Sequence, residues 1–195
     1  MEIRSAKLPS LVGVALAVLS PGGCGPEPQA PSPTPNPRPH EFTRLKITVE
    51  PGSGVTGVKV ESLWTVGNIG CAPNRGWPSG ASITKQVDTP ERVDKIGANE
   101  WVATVVDDRF LPDKCQWYAG AYGIDFMHDG VVLSGTGAGK NELEWTDVLK
   151  LTCVFNEPQG APVCSNRDLE ATLRAHHLQT FNATVEIVTT MEFVK

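Results

Sequence analysis

From Phe181 onward the chain alternates. Phe181, Ala183, Val185, Ile187, Thr189, Met191 and Phe193 fall on one side of an extended backbone, with Asn182, Thr184, Glu186 and Glu192 among those opposite. A two-residue period is the repeat of a strand with one face in a core and one in water, because successive side chains point to opposite faces. The same period recurs in Leu45, Ile47 and Val49 against Arg44, Lys46 and Thr48, and in Val58 and Val60 against Lys59 and Glu61. Val102, Thr104 and Val106 oppose Trp101, Ala103 and Val105; Tyr122, Ile124 and Phe126 share a face, as do Leu149, Leu151, Cys153 and Phe155. Turn formers separate these runs at 51–54 (PGSG), 97–100 (GANE), 128–130 (HDG) and 135–142 (GTGAGKNE). One stretch competes as helix: Ser165, Asn166, Arg167 and Asp168 could cap a run through Leu169, Ala171, Leu173 and His177. The expected fold of 41–195 is therefore all-β, an antiparallel β-sandwich of seven or eight strands with one short helix, and an eight-stranded barrel is the alternative. The first and last strands should pair in one sheet. The five tryptophans (Trp64, Trp77, Trp101, Trp117, Trp145) should fill or edge the core.

Residues 1–23 have a different character. Arg4 and Lys7 precede an apolar run from Leu11 to Leu19, and Ser20, Pro21, Gly22 and Gly23 then lead to Cys24. A run of about nine apolar residues is far short of the roughly 20 that span a bilayer. A basic start, a short apolar core and small residues before a cut describe an export signal. The pattern resembles that of bacterial lipoprotein precursors, whose leader is removed before a cysteine that takes lipid. The resemblance implies a signal peptide over 1–23 and palmitate-type acyl chains on Cys24 inserted in a membrane. Gly25, rather than Asp, follows the cysteine, which in that family implies the outer membrane, facing the periplasm. Plain secretion after a cut at Gly22 is the alternative. Residues 24–40 then form a tether, in which Pro31, Pro33, Pro35, Pro37 and Pro39 remove backbone donors and disfavour helix at each preceding residue. Extended polyproline geometry follows.

Beyond Cys24 the chain holds Cys71, Cys115, Cys153 and Cys164, an even number in an exported protein, so two disulfides are expected. Three pairings are possible. The short, turn-rich insert VFNEPQGAPV favours Cys153–Cys164 and leaves Cys71–Cys115 by elimination. A closed loop of this size contributes about 3 kcal/mol in the chain-entropy account. The spacings contain no C-x-x-C pair, so neither zinc nor another cofactor is expected. A formal net charge of −5 argues against nucleic acid or an anionic membrane surface as partner.

Candidates for chemistry are few. Gly135-Thr136-Gly137-Ala138-Gly139-Lys140 suggests a phosphate loop, but Ser134 stands where the first glycine is needed and Asn141 follows the lysine. Asp107, Asp108 and Asp113 form an oxygen-rich stretch without the alternating spacing of a calcium loop, and a solvated turn is the expectation. Pro112-Asp113-Lys114-Cys115-Gln116-Trp117 resembles a short signature of exported β-domains of Gram-negative bacteria that carries no assigned activity. His176 and His177 are adjacent, so on a helix they diverge and cannot share a metal. His128 could meet Asp108 or Ser134 only through the fold, and no G-x-S-x-G elbow occurs. Asn182-Ala183-Thr184 fits a glycosylation sequon that is incidental in a bacterial lipoprotein.

These readings lead to a membrane-anchored, non-catalytic binding module for a protein or envelope component, of which an inhibitor of an envelope-targeting toxin is one form. No catalytic residue is assigned. An envelope hydrolase and a structural subunit of an envelope complex are the alternatives.

Overall fold

The computed structural model describes residues 31–72, 86–146, 148–155, 164–166 and 178–188. In chain order its elements are β1 (Phe42–Val49), β2 (Gly57–Val66), a single 3-10 turn (Ile69–Cys71), β3 (Gln86–Pro90), β4 (Arg92–Lys95), β5 (Glu100–Val106), β6 (Trp117–His128), β7 (Val131–Gly139), α1 (Lys140–Trp145), β8 (Leu149–Val154), β9 (Cys164–Ser165) and β10 (Thr180–Ile187). All strand pairs are antiparallel. They form a six-stranded sheet, β4-β5-β1-β10-β8-β9, and a four-stranded sheet, β3-β2-β6-β7, in a sandwich-like all-β fold. The first and last strands pair, with Leu45 opposite Ile187 and Val49 opposite Ala183. Cys71–Cys115 and Cys153–Cys164 are both bonded.

The buried faces follow the alternation. Leu45, Ile47 and Val49 of β1, Trp101, Ala103 and Val105 of β5, and Phe181, Ala183 and Val185 of β10 face Tyr122, Ile124 and Phe126 of β6. Phe126 and Phe181 meet edge to face, centroids 5.5 Å apart, an arrangement favoured by the ring quadrupoles. Leu143 of α1 closes one end of this core.

A second, smaller core lies beyond it at the same end. In β2 the residues Val60, Ser62, Trp64 and Val66 all point inward. Across from them, the β2–β6 register shifts between Leu63 and Trp64, leaving Gly120 as the extra residue. An extra residue reverses side-chain parity in the bulged strand. Inward positions in β6 therefore change from 122, 124 and 126 to 117 and 119. Trp117 and Ala119 thereby join Trp64, Val66, Ala72 and Cys115, with Cys71, Val87 and Phe110 packed against them.

Several expectations are corrected by the structure. Ten strands are present among the described residues, rather than seven or eight, because β3, β4 and β9 are too short to show a period. The glycine-rich stretch at 135–142 is not the expected turn between strands: residues 135–139 complete β7 and the remainder opens α1. A Cβ at Gly135 would stand 2.7 Å from Asp125 Oδ1 and 3.3 Å from the Ile124 carbonyl, so glycine there serves close approach within a strand. The turn expected at 128–130 is present, with φ of 48° at Asp129 and 85° at Gly130, the two consecutive positive values of a two-residue hairpin turn. Of the helix read from Ser165, residues 164–165 are strand β9 and 167–177 lie outside the described residues. Thr189, Met191, Phe193, Trp77 and Cys24 also lie outside them. Trp64, Trp101 and Trp117 are buried, whereas Trp145 is exposed.

The tether reading shortens. The Leu111 N–H donates to the Thr34 carbonyl (2.9 Å) and the Asn36 N–H to the Arg109 carbonyl (2.7 Å), with Pro35 bridged to Phe110. The folded unit thus begins near Thr34 rather than at 41.

Truncating Ile47, fully buried in β1, to alanine should cost about 2–5 kcal/mol in urea unfolding. Lys150→Ala, on the outer face of β8, should stay within about 0.5 kcal/mol.

Candidate functional site

Where the two cores meet, the interior turns polar. Glu91 is the single residue between β3, in one sheet, and β4, in the other, so the chain crosses the sandwich there. Its side chain is 1% exposed. Its carboxylate accepts from Ser62 Oγ, pairs with the Arg109 guanidinium, and accepts from the Val106 N–H. Ser62 Oγ in turn accepts from Trp64 Nε1 at 2.9 Å and lies 2.7 Å from Thr89 Oγ1. Burial pushes the Glu91 carboxyl above the usual carboxylate range, and the bonds from Ser62 and Arg109 offset that only in part.

Arg109 belongs to 107–111, the segment that holds the tether. Burial works to raise the Asp108 carboxyl, but the backbone N–H groups of His40 and Glu41 and the His40 ring outweigh it and hold it below its ordinary value. Those N–H groups donate to the carboxylate at 2.9 and 3.1 Å, and His40 Nδ1 lies 2.9 Å from Oδ2. Asp107 accepts from Thr43 Oγ1 at 2.6 Å and pairs with Lys140 Nζ at 3.0 Å. Asp113 accepts from the N–H groups of Cys115 and Gln116. The three aspartates are thus held by protein donors, and no group of three His, Cys, Asp or Glu residues that could hold a metal occurs among the described residues.

The other sequence candidates are not brought together. His128 sits at the far end of the sandwich, its Nδ1 against the Gly54 carbonyl. Ser134 is buried, with Oγ 3.4 Å from Cys164 Sγ. Asp108 is engaged at the opposite end. Lys140, the lysine of the phosphate-loop lookalike, is committed to Asp107. Asn182 bonds Glu50 and Thr152 within the sheet, and His176 and His177 lie outside the described residues.

An open groove does appear that sequence reading did not single out. On the outer face of the six-stranded sheet, Phe42 and Arg44 of β1, Val102 and Thr104 of β5, Arg92 and Asp94 of β4, and Ile96 line a groove of about 600 Å³. Arg44 pairs opposite Thr104 across β1–β5, and Thr104 opposite Arg92 across β5–β4, so one row crosses three strands. Phe42 and Ile96 are each about half exposed. Arg92 pairs with Asp94 at 2.9 Å; Arg44 makes no ion pair with any described residue. The groove offers an apolar floor with one uncommitted guanidinium. The signal in sequence was the half of the alternation that is supposed to be polar: Phe42 and Val102 stand on the water side of their strands.

The chain matches no protein-family model, no curated protein and no solved structure.

The two carboxyls give opposite pH dependences. The raised Glu91 pKa makes its neutral form favour folding, so its contribution is full below about pH 4.5 and is lost as pH rises through the raised value. The lowered Asp108 pKa gives a contribution present above 3.8 and lost as pH falls through the folded value. Thermal melts against pH should show Glu91→Gln removing the decline on the rising side and Asp108→Asn removing the acid-side loss. Unchanged profiles would contradict these assignments.

Proposed function

We propose that the protein is a lipid-anchored, exported, non-catalytic binding module that recognises a protein or envelope component through the groove on its six-stranded sheet. The observation that carries the reading is the groove itself: exposed Phe42 and Ile96 and half-buried Val102 beside Arg44 and the Arg92–Asp94 pair. Two guanidinium groups against one carboxylate suit a partner segment that is apolar and carries an acidic side chain. An aromatic side chain on an open sheet face beside arginine is also the composition of interface hot spots. Protection of the cell from an envelope-targeting toxin is the more specific form of this reading. The anchor rests on the leader and Cys24. The closed cysteine pairs, Cys71–Cys115 and Cys153–Cys164, agree with an oxidising compartment outside the cytosol.

Two experiments test it. Cys24→Ser should move the mature protein from the membrane pellet to the soluble envelope fraction; unchanged fractionation would remove the anchor. Full-length protein extracted in mild detergent should capture a defined envelope species, and Phe42→Asp or Arg92→Glu should lose that species while Val131→Asp, at the far end, keeps it. Equal capture by all three variants would move recognition away from the groove.

A further inference from the structure

The large apolar side chains left in water are unevenly placed. Eight such residues are exposed among those described, and Ile96 and Val131 lie at the end remote from the tether. The other six, Phe42, Ile69, Leu111, Tyr118, Trp145 and Val148, lie at the end where the tether joins. Three of them cluster by connectivity around the point of entry. Leu111 is bonded through its N–H to Thr34. Ile69 sits in the 3-10 turn that Cys71–Cys115 and the bond from Asn68 Nδ2 to the Lys114 carbonyl (2.8 Å) fasten to the same loop. Tyr118 follows that loop directly. Trp145, 82% exposed, ends the helix that caps this end of the core. A tryptophan so exposed, with a tyrosine and two aliphatics at the same end, marks a surface that is covered in use. Trp and Tyr are the side chains that favour a membrane–water boundary, where a ring is half in hydrocarbon and its polar edge in water.

The tether decides what can cover it. Docking of residues 34–40 leaves at most residues 25–33 between Cys24 and the fold, ten steps from Cys24 to Thr34 that span no more than about 33–36 Å at the roughly 3.3–3.6 Å per residue of a fully extended chain. The ten-residue strand β2 alone runs about 33 Å along the sandwich at roughly 3.3 Å per residue. Turning the far end toward the bilayer would require the tether to be pulled almost taut, at a cost in chain entropy, whereas a slack tether holds the entry end there. The apolar end is thus the one that a slack tether leaves nearest the surface.

We propose that this end of the sandwich seats on the lipid bilayer, with Ile69, Leu111, Tyr118 and Trp145 in the interfacial zone; the inference rests on the reading of Cys24 as acylated. Asp113, Glu142 and Glu144 share this end with Lys114, so apolar burial drives the contact rather than attraction to anionic lipid, and neutral phospholipid suffices. A weak contact is enough, because the tether holds the face at high effective concentration. The domain then stands upright, with the groove on its flank and the turns at 51–54 and 128–130 directed away from the membrane.

The test uses the acylated full chain, extracted in mild detergent and reconstituted into neutral phosphatidylcholine vesicles, with and without acyl chains brominated near the headgroup to quench tryptophan on contact. A quenched component of the emission should appear in brominated vesicles, vanish in Trp145→Phe, shrink in the double variant Ile69→Asn/Leu111→Asn, and persist in high salt. These three positions are exposed, so the variants should keep the wild-type melting temperature. Protein that floats with the vesicles but shows no quenching overturns the seating and leaves the anchor standing. Wild type that fails to float removes the anchor and the seating with it. A Cys24→Ser protein that sediments as a dimer, returned to monomer by Trp145→Ser, would assign the face to a second copy and overturn the proposal.

Discussion

The six-stranded sheet is joined at its middle by the two ends of the fold. β10-β8-β9 is built from strands close in sequence, β4-β5-β1 from two such strands and a first one set apart from them by β2 and β3, and only the β1–β10 ladder connects the two halves. That ladder carries Ile47 and Val185 into the main core, and on its outer face Lys46 reaches Glu100 of β5 at 3.2 Å and Glu186 of β10 at 3.7 Å. Closing so long a loop adds little extra entropy cost, since the cost grows only with the logarithm of length. It does make this ladder a contact of high sequence separation, the kind that slows folding because loop-closure entropy is lost before the contact forms.

The flanks of the sandwich are closed by two devices. On one, the strand that is β3 in the small sheet becomes β4 in the large one, and Glu91 marks the crossing. Such a corner leaves backbone and side-chain groups inside that need partners. Ser62, Arg109 and the Val106 N–H supply them. On the other flank, β9 is tied to β8 by Cys153–Cys164, and Thr136 of β7 donates to the Cys164 carbonyl. The groove needs the first device, since Arg92 and Asp94 stand on the outer face only because the chain has changed sheets at Glu91.

The tether end joins these parts. Asp107, Asp108 and Arg109 face three ways: toward Thr43 and Lys140, toward Asn36, His40 and Glu41, and toward Glu91. One short loop thereby fixes where the tether ends, how α1 meets the sheet, and how the buried carboxylate is balanced. None of this is a repeat or a motif. It arises from residues between 36 and 140 in sequence that meet because β1, β5 and β6 end together.

Alternation is a local property of an extended backbone, so the inward faces of β1, β6, β8 and β10 could be read directly, as could the pairing of Cys153 with Cys164 across a short insert; in β5 both faces carry valine, and only the fold shows that Trp101, Ala103 and Val105 point inward. The glycine-rich β7 could not be read this way, since glycines carry no side chain to show a period; nor could Trp117, whose face was reversed by one extra residue at Gly120. Glu91 looked like any charged residue between short strands, and Phe42 like an ordinary member of the water-facing set. Which charges are buried, which apolar groups are left outside, and where the tether stops were decided only by tertiary structure, because each depends on the register of strands far apart in the chain.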